Sequence, residues 1–248
     1  MGQIKKYWVD KATGKYLTKN IDGQDHLLYK WVDGEPEIVY GALYNHFAAI
    51  HTDKISSDDD WIVPSYNDYV TLQKYNGGTE TTQGKKLKEV GHVYWNSSSG
   101  IIATNEYGFN GRGSGYRQAA YTGHKASGQL WTTTTWNISL GYLSANLMNT
   151  TDWFPVNTHY AAWNGIGIRL LKTSTTLSHG EEGEYVGNDG TKYQTICIGT
   201  QEWLAENLIE TKYRNGDTIP IVEDDIDWSN LTTGAMCYYD NDINNAYV

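Results

Sequence analysis

Apolar positions in this chain come in short alternating runs, not in long helical stripes. Residues 129–134, 140–148, 158–163 and 166–171 alternate large apolar or aromatic side chains with Thr, Ser, Asn or Gly, the period-two signature of strands. Residues 193–198 and 201–204 flank Gly199 and Thr200, which reads as a hairpin. Helical spacing occurs twice. Leu43, Phe47 and Ile50 mark residues 40–50 as a short helix, and Ser65 with Asp68 three positions on makes a capped start for a helix that carries Val70 and Leu72 and runs to about Tyr75.

The stretches between these runs are polar. Residues 77–128 are rich in Gly, Ser, Asn and Thr with scattered aromatics, and read as long irregular loops held by a scaffold. Residues 173–190 read as a flexible connection ending in the turn at Asn188, Asp189 and Gly190. Residues 1–38 hold short apolar runs broken at 12–14 and 21–23, which gives two or three strands, too few for a core of their own. They must pack on the main domain, a sister subunit or a larger assembly.

Composition narrows the function class. A chain of 248 residues buries one substantial core, alone or with a small appendage. Ten Trp and 20 Tyr against three Phe favour side chains with an apolar body and a polar edge, suited to loop-rich cores and to polar-ligand surfaces. The net charge of −10 sits at one end: residues 173–248 hold 14 acidic and three basic side chains, against 15 and 16 in residues 1–172. Neither part carries a basic stripe, which argues against a nucleic-acid partner. No run has the length of a membrane span, and the first residues lack the apolar centre of a signal peptide, so membrane insertion and secretion are not expected.

Catalytic and metal motifs are missing from the sequence. The seven histidines form no His-Glu-x-x-His or His-x-His pair, and His46 and His51 are badly spaced for one ion on a helix. There is no nucleophile elbow and no P-loop. Asp58, Asp59 and Asp60 are consecutive, so they read as a solvated turn before Trp61. Cys197 and Cys237 lie in strand-like runs and read as buried free thiols, a bridge between them being a matter for geometry. The chain is therefore read as a non-enzyme with no cofactor and no metal.

What remains is a surface. Residues 131–163 concentrate Trp136, Asn137, Tyr142, Asn146, Asn149, Trp153, Asn157, His159 and Tyr160. Rigid aromatics among adaptable amides are what polar-ligand paratopes use, and they suit glycans, whose apolar ring faces stack on Trp or Tyr while their hydroxyls bond Asn. Strand alternation turns about half of them inward.

Several short motifs carry a resemblance. Ile198-Gly-Thr-Gln-Glu-Trp-Leu-Ala-Glu-Asn-Leu208 and Asn230-Leu-Thr-Thr-Gly-Ala-Met-Cys-Tyr-Tyr-Asp-Asn-Asp242 resemble the opening half of the Fibrobacter succinogenes major paralogous domain, a bacterial and phage family similar to C-type lectins. The closing half resembles segments found earlier in the chain: Tyr40-Gly-Ala-Leu-Tyr-Asn-His-Phe-Ala-Ala49, Trp61-Ile-Val-Pro-Ser65, Gly84 to Gly91 with Tyr94-Trp-Asn96, Ala103 to Phe109, Ser114-Gly-Tyr-Arg117, Leu130-Trp-Thr132 and Gly165-Ile-Gly-Ile-Arg-Leu-Leu171. The order of the halves is reversed. The resemblance implies an α+β, C-type-lectin-like domain that is circularly permuted or exchanged between subunits: an attachment segment 1–38, a closing half 39–172, a linker 173–190 and an opening half 191–248. It also implies that 193–198 lies beside 166–171, as first and last strands do in such folds.

The same resemblance bears on function. Related oxidases depend on paired cysteines late in their sequences, and here both thiols fall in the opening half. Related lectins hold calcium through a Glu-Pro-Asn or Gln-Pro-Asp loop and a Trp-Asn-Asp strand, whereas Trp163 and Asn164 precede Gly165 and Pro36 precedes Glu37. In related domains the region before the closing strand is a tolerant display surface. The implied function is a recognition module of a phage virion, in a tail or head appendage, with a bacterial surface glycan or protein, other virion proteins and sister copies as partners. The alternatives are a structural virion decoration or adaptor and a bacterial surface adhesin.

Overall fold

The computed structural model describes residues 40–79, 81–91, 93–96, 102–137 and 141–246, together with the backbone of four strands nearer the N-terminus. These four are β1 (Gln3–Tyr7), β2 (Thr18–Ile21), β3 (Gln24–Leu27) and β4 (Tyr29–Asp33); β1 pairs with β4 and β2 with β3, both antiparallel. The turns expected at 12–14 and 22–23 lie outside the described residues. Next come β5 (Leu43–Tyr44), α1 (His46–Ala49), β6 (Trp61–Ile62), α2 (Tyr66–Tyr75), β7 (Ser114–Arg117), β8 (Tyr121–His124), β9 (Ser127–Asn137), β10 (Gly141–Met148) and β11 (Thr158–Tyr160). The chain ends with β12 (Leu171–Lys172), β13 (Glu182–Val186), β14 (Lys192–Ile198), β15 (Gln201–Leu204), α3 (Asp225–Ser229) and β16 (Met236–Cys237).

Two five-stranded sheets dominate, ordered β11-β10-β9-β7-β8 and β13-β14-β15-β12-β6, and β16 with β5 makes a third, smaller pair. Helix accounts for 14% and strand for 31%, and the three α-helices are short. The expected α+β class is therefore corrected: the fold is β-rich. The physical reason lies in the segments read as loop or helix. Most of 40–50 is β5 and irregular backbone, with a single helical turn at its end; β7 and β8 emerge within 77–128, and β13 within the linker. In β13 only Tyr185 is buried, with its ring tilted against Trp61 and Tyr193, so one aromatic on a polar background was enough to hold a strand.

The β9–β10 hairpin separates two apolar clusters. Ala145 and Leu147 pack with Leu130, Tyr69 and Leu72 on one side, while Trp131, Tyr142 and Tyr160 meet Tyr44 and Ile166 on the other. Burying a leucine here stabilises by about 2 kcal/mol. The first side is closed by α2, whose start matches the sequence pattern: Ser65 Oγ accepts from the Asp68 N–H, and the Asp68 carboxylate accepts from the Ser65 N–H at 2.7 Å. Such a cap contributes about 1 kcal/mol.

The C-terminal segment closes on its own chain. Met236 pairs with Tyr44 and Cys237 with Leu43, and the Asn45 side chain caps α1 at the Ala48 N–H, donates to the Thr233 carbonyl and accepts from the Ala235 N–H. The neighbour of 166–171 is corrected as well. Leu204 N–H donates to the Leu170 carbonyl and Leu208 N–H to the Ile168 carbonyl, so the adjacent segment is 203–208, and β14 lies one strand further out. A hairpin has two arms, and the second arm continues the apolar run through Leu204, Ala205 and Leu208 that the site beside Ile168 buries. Cys197 and Cys237 are buried free thiols in β14 and β16.

Two buried ionisable groups pin these layers. Arg169 is 1% exposed; its Nε donates to Asn207 Oδ1 at 2.8 Å, Nη1 to the Phe109 carbonyl and Nη2 to the Asn110 carbonyl at 2.8 Å, with Phe109 stacked on the guanidinium. Burial lowers its pKa to about 9, which still leaves it charged at neutral pH. Glu210 is fully buried, and its carboxylate accepts from the N–H groups of Asn188, Asp189, Thr211 and Lys212, tying two turns together. Burial and the adjacent Asp189 push its pKa up to about 8. Against its own burial, Asp189 is held below the usual carboxylate range by donors from Thr191 and Thr211.

Replacing Arg169 by Met will orphan two buried carbonyls and the Asn207 amide oxygen, and the urea midpoint should report a loss of about 3 kcal/mol or more. A loss under about 0.5 kcal/mol, the size of an ordinary surface substitution, would show that Arg169 pins nothing. Glu210 carries a pH signature. Below the ordinary carboxylate range both folded and unfolded chains hold its proton; as pH rises the unfolded chain releases it while the folded protein keeps it to about 8, so its contribution is lost across that interval. Thermal melts at pH of about 5 and about 8 should show a fall that is smaller in Glu210→Gln, and equal falls in both proteins would refute this assignment.

Candidate functional site

The free end of the β9–β10 hairpin is where the two apolar clusters stop and polar side chains take over. Along β9 the residues turn from buried at 127–132 to mostly exposed at 133–137. The strand end is nevertheless fixed. Thr134 Oγ1 accepts the Tyr66 N–H at 3.0 Å, which joins β9 to the first turn of α2, and the Thr133 N–H donates to the Pro64 carbonyl.

Trp136 lies two residues beyond Thr134 and is 59% exposed. Its ring is 5.3 Å from that of His159 at a tilt of 50°, and His159 sits on β11, the edge strand of the sheet, opposite Leu143. Asn137 is exposed at the tip of β9, and Asn157 is exposed just before β11. An indole held by a second ring at an exposed strand end is a platform for an apolar ligand face.

Tyr142 and Tyr160 stand behind this platform as cross-strand partners, each half-buried. Tyr142 stacks on His46 at 3.7 Å, and Tyr160 tilts against Tyr116 and meets Trp131 edge-on. Burial lowers the pKa of His46 to about 4, so its imidazole is neutral at neutral pH. Its Nε2 faces the Thr132 carbonyl at 3.0 Å, which fixes the Nε2–H tautomer. The rings of Tyr142 and Tyr160 thus serve chiefly as packing.

The other residues of the sequence-derived set lie elsewhere. Asn146 is 8% exposed on the inner face of β10, opposite Gln129, and is not placed to contact a ligand. Asn149 and Trp153 follow the far end of β10. Gly141 pairs with Asn137 and Met148 with Ser127, so the two ends are about 23 Å apart at strand rise. Trp153 is 48% exposed there, on a turn held by the buried Lys88, whose Nζ donates to the Met148 and Thr151 carbonyls, both at 2.8 Å. Trp136 and His159 therefore form one cluster, Asn137 follows at the strand tip and Asn157 precedes β11, and Trp153 stands apart.

The sequence reading missed a pocket of about 290 Å³ between α1 and β6, with Ala49, Ile55, Trp61 and Val63 as its apolar wall and Lys54 and Thr133 at its mouth. Its residues come from separate runs, and no spacing rule brings them together. The Asp58 turn is as expected: Asp58 Oδ1 accepts the N–H groups of Asp60 and Trp61. Among the described residues no group of three His, Cys, Asp or Glu is placed to hold a metal ion, and no helix is long and apolar enough to cross a membrane. Compared with known proteins, the chain matches no family model, no curated protein and no solved structure.

Proposed function

We propose that this protein is a non-catalytic recognition module that binds a glycan on a bacterial surface as a component of a phage particle. The observation that carries the reading is the exposed indole of Trp136, held against His159 on an edge strand. An indole left 59% in water contributes little to folding, yet its strand is tied to α2 through Thr134 and its ring rests against His159, so its orientation is set before a ligand arrives. Preorganised aromatics lose little entropy on binding, and a pyranose offers the apolar face they need. Asn137 and Asn157 supply amide donors and acceptors for its hydroxyls. The short motifs shared with the Fibrobacter succinogenes major paralogous domain support a surface-facing role in a phage or bacterium.

A structural role in the virion is the second reading. It is favoured by Trp153, exposed at the opposite end of β10, and by the N-terminal strands, whose ladders among the described residues join them to one another. Two-stranded ribbons are marginal in water, which suits a segment that docks on a neighbour.

Purified protein should bind intact host bacteria saturably, and Trp136→Ala should weaken that binding about tenfold or more while leaving the fold intact. Trp153→Ala should bind as the wild type does. Binding that survives Trp136→Ala removes this platform from the reading, and absent binding with assembly into defined oligomers favours the structural role.

A further inference from the structure

A second group of rings, two exposed and one half-buried, meets at the other end of α2. Tyr75, its last residue, is 45% exposed, and its ring lies 5.9 Å from Tyr107 and 5.2 Å from His179, which are 5.7 Å from each other. The three planes are tilted mutually by 61°, 60° and 64°, so no two rings stack face to face. They come from α2, from the turn after Asn105 and from the 173–190 segment, so the group exists only in the folded chain.

Each ring is held in place. Gly199, at φ +66°, passes so close to Tyr75 that a Cβ there would lie 2.6 Å from the ring. The same residue donates its N–H to His179 Nδ1 at 3.3 Å, which leaves the Nε2–H of that imidazole as a further donor. The Tyr107 hydroxyl lies 3.4 Å from Lys86 Nζ, which also pairs with Glu106 at 3.5 Å. Tyr107 packs at the edge of the second apolar cluster, whereas Tyr75 and His179 belong to none of the three.

We propose that Tyr75, Tyr107 and His179 form a second carbohydrate site, which takes one pyranose against the rings and bonds its hydroxyls through Lys86, Glu106 and His179 Nε2. A cationic ligand is disfavoured by the Lys86 ammonium beside Tyr107. The proposal rests on the glycan reading of Trp136. The two sites lie towards opposite ends of α2, a helix about 14 Å long.

Saturation-transfer NMR with the methyl glycosides of hexoses and N-acetylhexosamines tests both sites in the full chain. Wild type and Trp136→Ala should both show transfer, and adding Tyr75→Ala and His179→Ala to Trp136→Ala should abolish it. Each site should hold its sugar about tenfold more weakly when its rings are removed. Transfer lost completely in Trp136→Ala alone overturns the second site and leaves the first standing. Transfer unchanged in Trp136→Ala but lost in Tyr75→Ala/His179→Ala establishes the second site and removes the first. No transfer in the wild type, or transfer that tetramethylammonium displaces, overturns the carbohydrate assignment here.

Discussion

Arg169 is the point at which the layers of this protein meet. A fully buried guanidinium is costly unless all of its donors find acceptors, and here those acceptors are two loop carbonyls and an amide oxygen. Its partners come from the 105–110 turn and from Asn207, whose own Nδ2 donates to the Tyr40 carbonyl at 2.9 Å. One side chain thus joins three distant stretches of the chain. Arg117 repeats the device at the other flank: its guanidinium donates to the Val222 and Glu223 carbonyls and the Asp225 carboxylate, between the rings of Tyr121 and Trp228. Irregular backbone with little helix offers many unpaired carbonyls, and a planar group with five donors is suited to collect them.

The hairpin between two apolar clusters follows from the same economy and decides where a ligand can go. Alternate residues of β10 face different clusters, so neither face is free along its middle, and a residue such as Asn146 is buried however polar it is. Only the ends of the hairpin and the edge strand β11 reach solvent. Trp136 and His159 stand at such a margin, which is stiff because α2 is bonded to β9 through Thr134.

Much of the local structure was legible in the sequence, and the assembly was not. Alternation located β9, β10 and β11; Ser65 with Asp68 located α2; and Gly199 located the turn between β14 and β15. These signals act within a few residues. The segment 40–50 shows the limit: its apolar spacing fits a helix, yet Leu43 and Tyr44 are drawn into pairing with β16 from the far end of the chain. The partner of 166–171 and the inward position of Asn146 depend likewise on contacts between remote residues. The three rings at Tyr75, Tyr107 and His179 are separated by more than 30 and 70 positions in sequence, and no periodicity joins them.

The charge asymmetry shows which force holds the C-terminal segment in place. Residues 173–248 carry all of the net negative charge, but the ion pairs that cross to residues 1–172 run both ways: Arg117 with Asp225 and Lys172 with Glu202, but also Arg214 with Asp59. Asp59 and Asp225 are 76% and 62% exposed, so water and salt weaken two of these pairs. The join instead rests on backbone pairing, on Asn45 and on guanidinium groups that bind carbonyls, none of which needs an acidic partner. The excess acidity is therefore free to remain on the surface, and side chains at the hairpin tip can vary without loosening the closure of the fold.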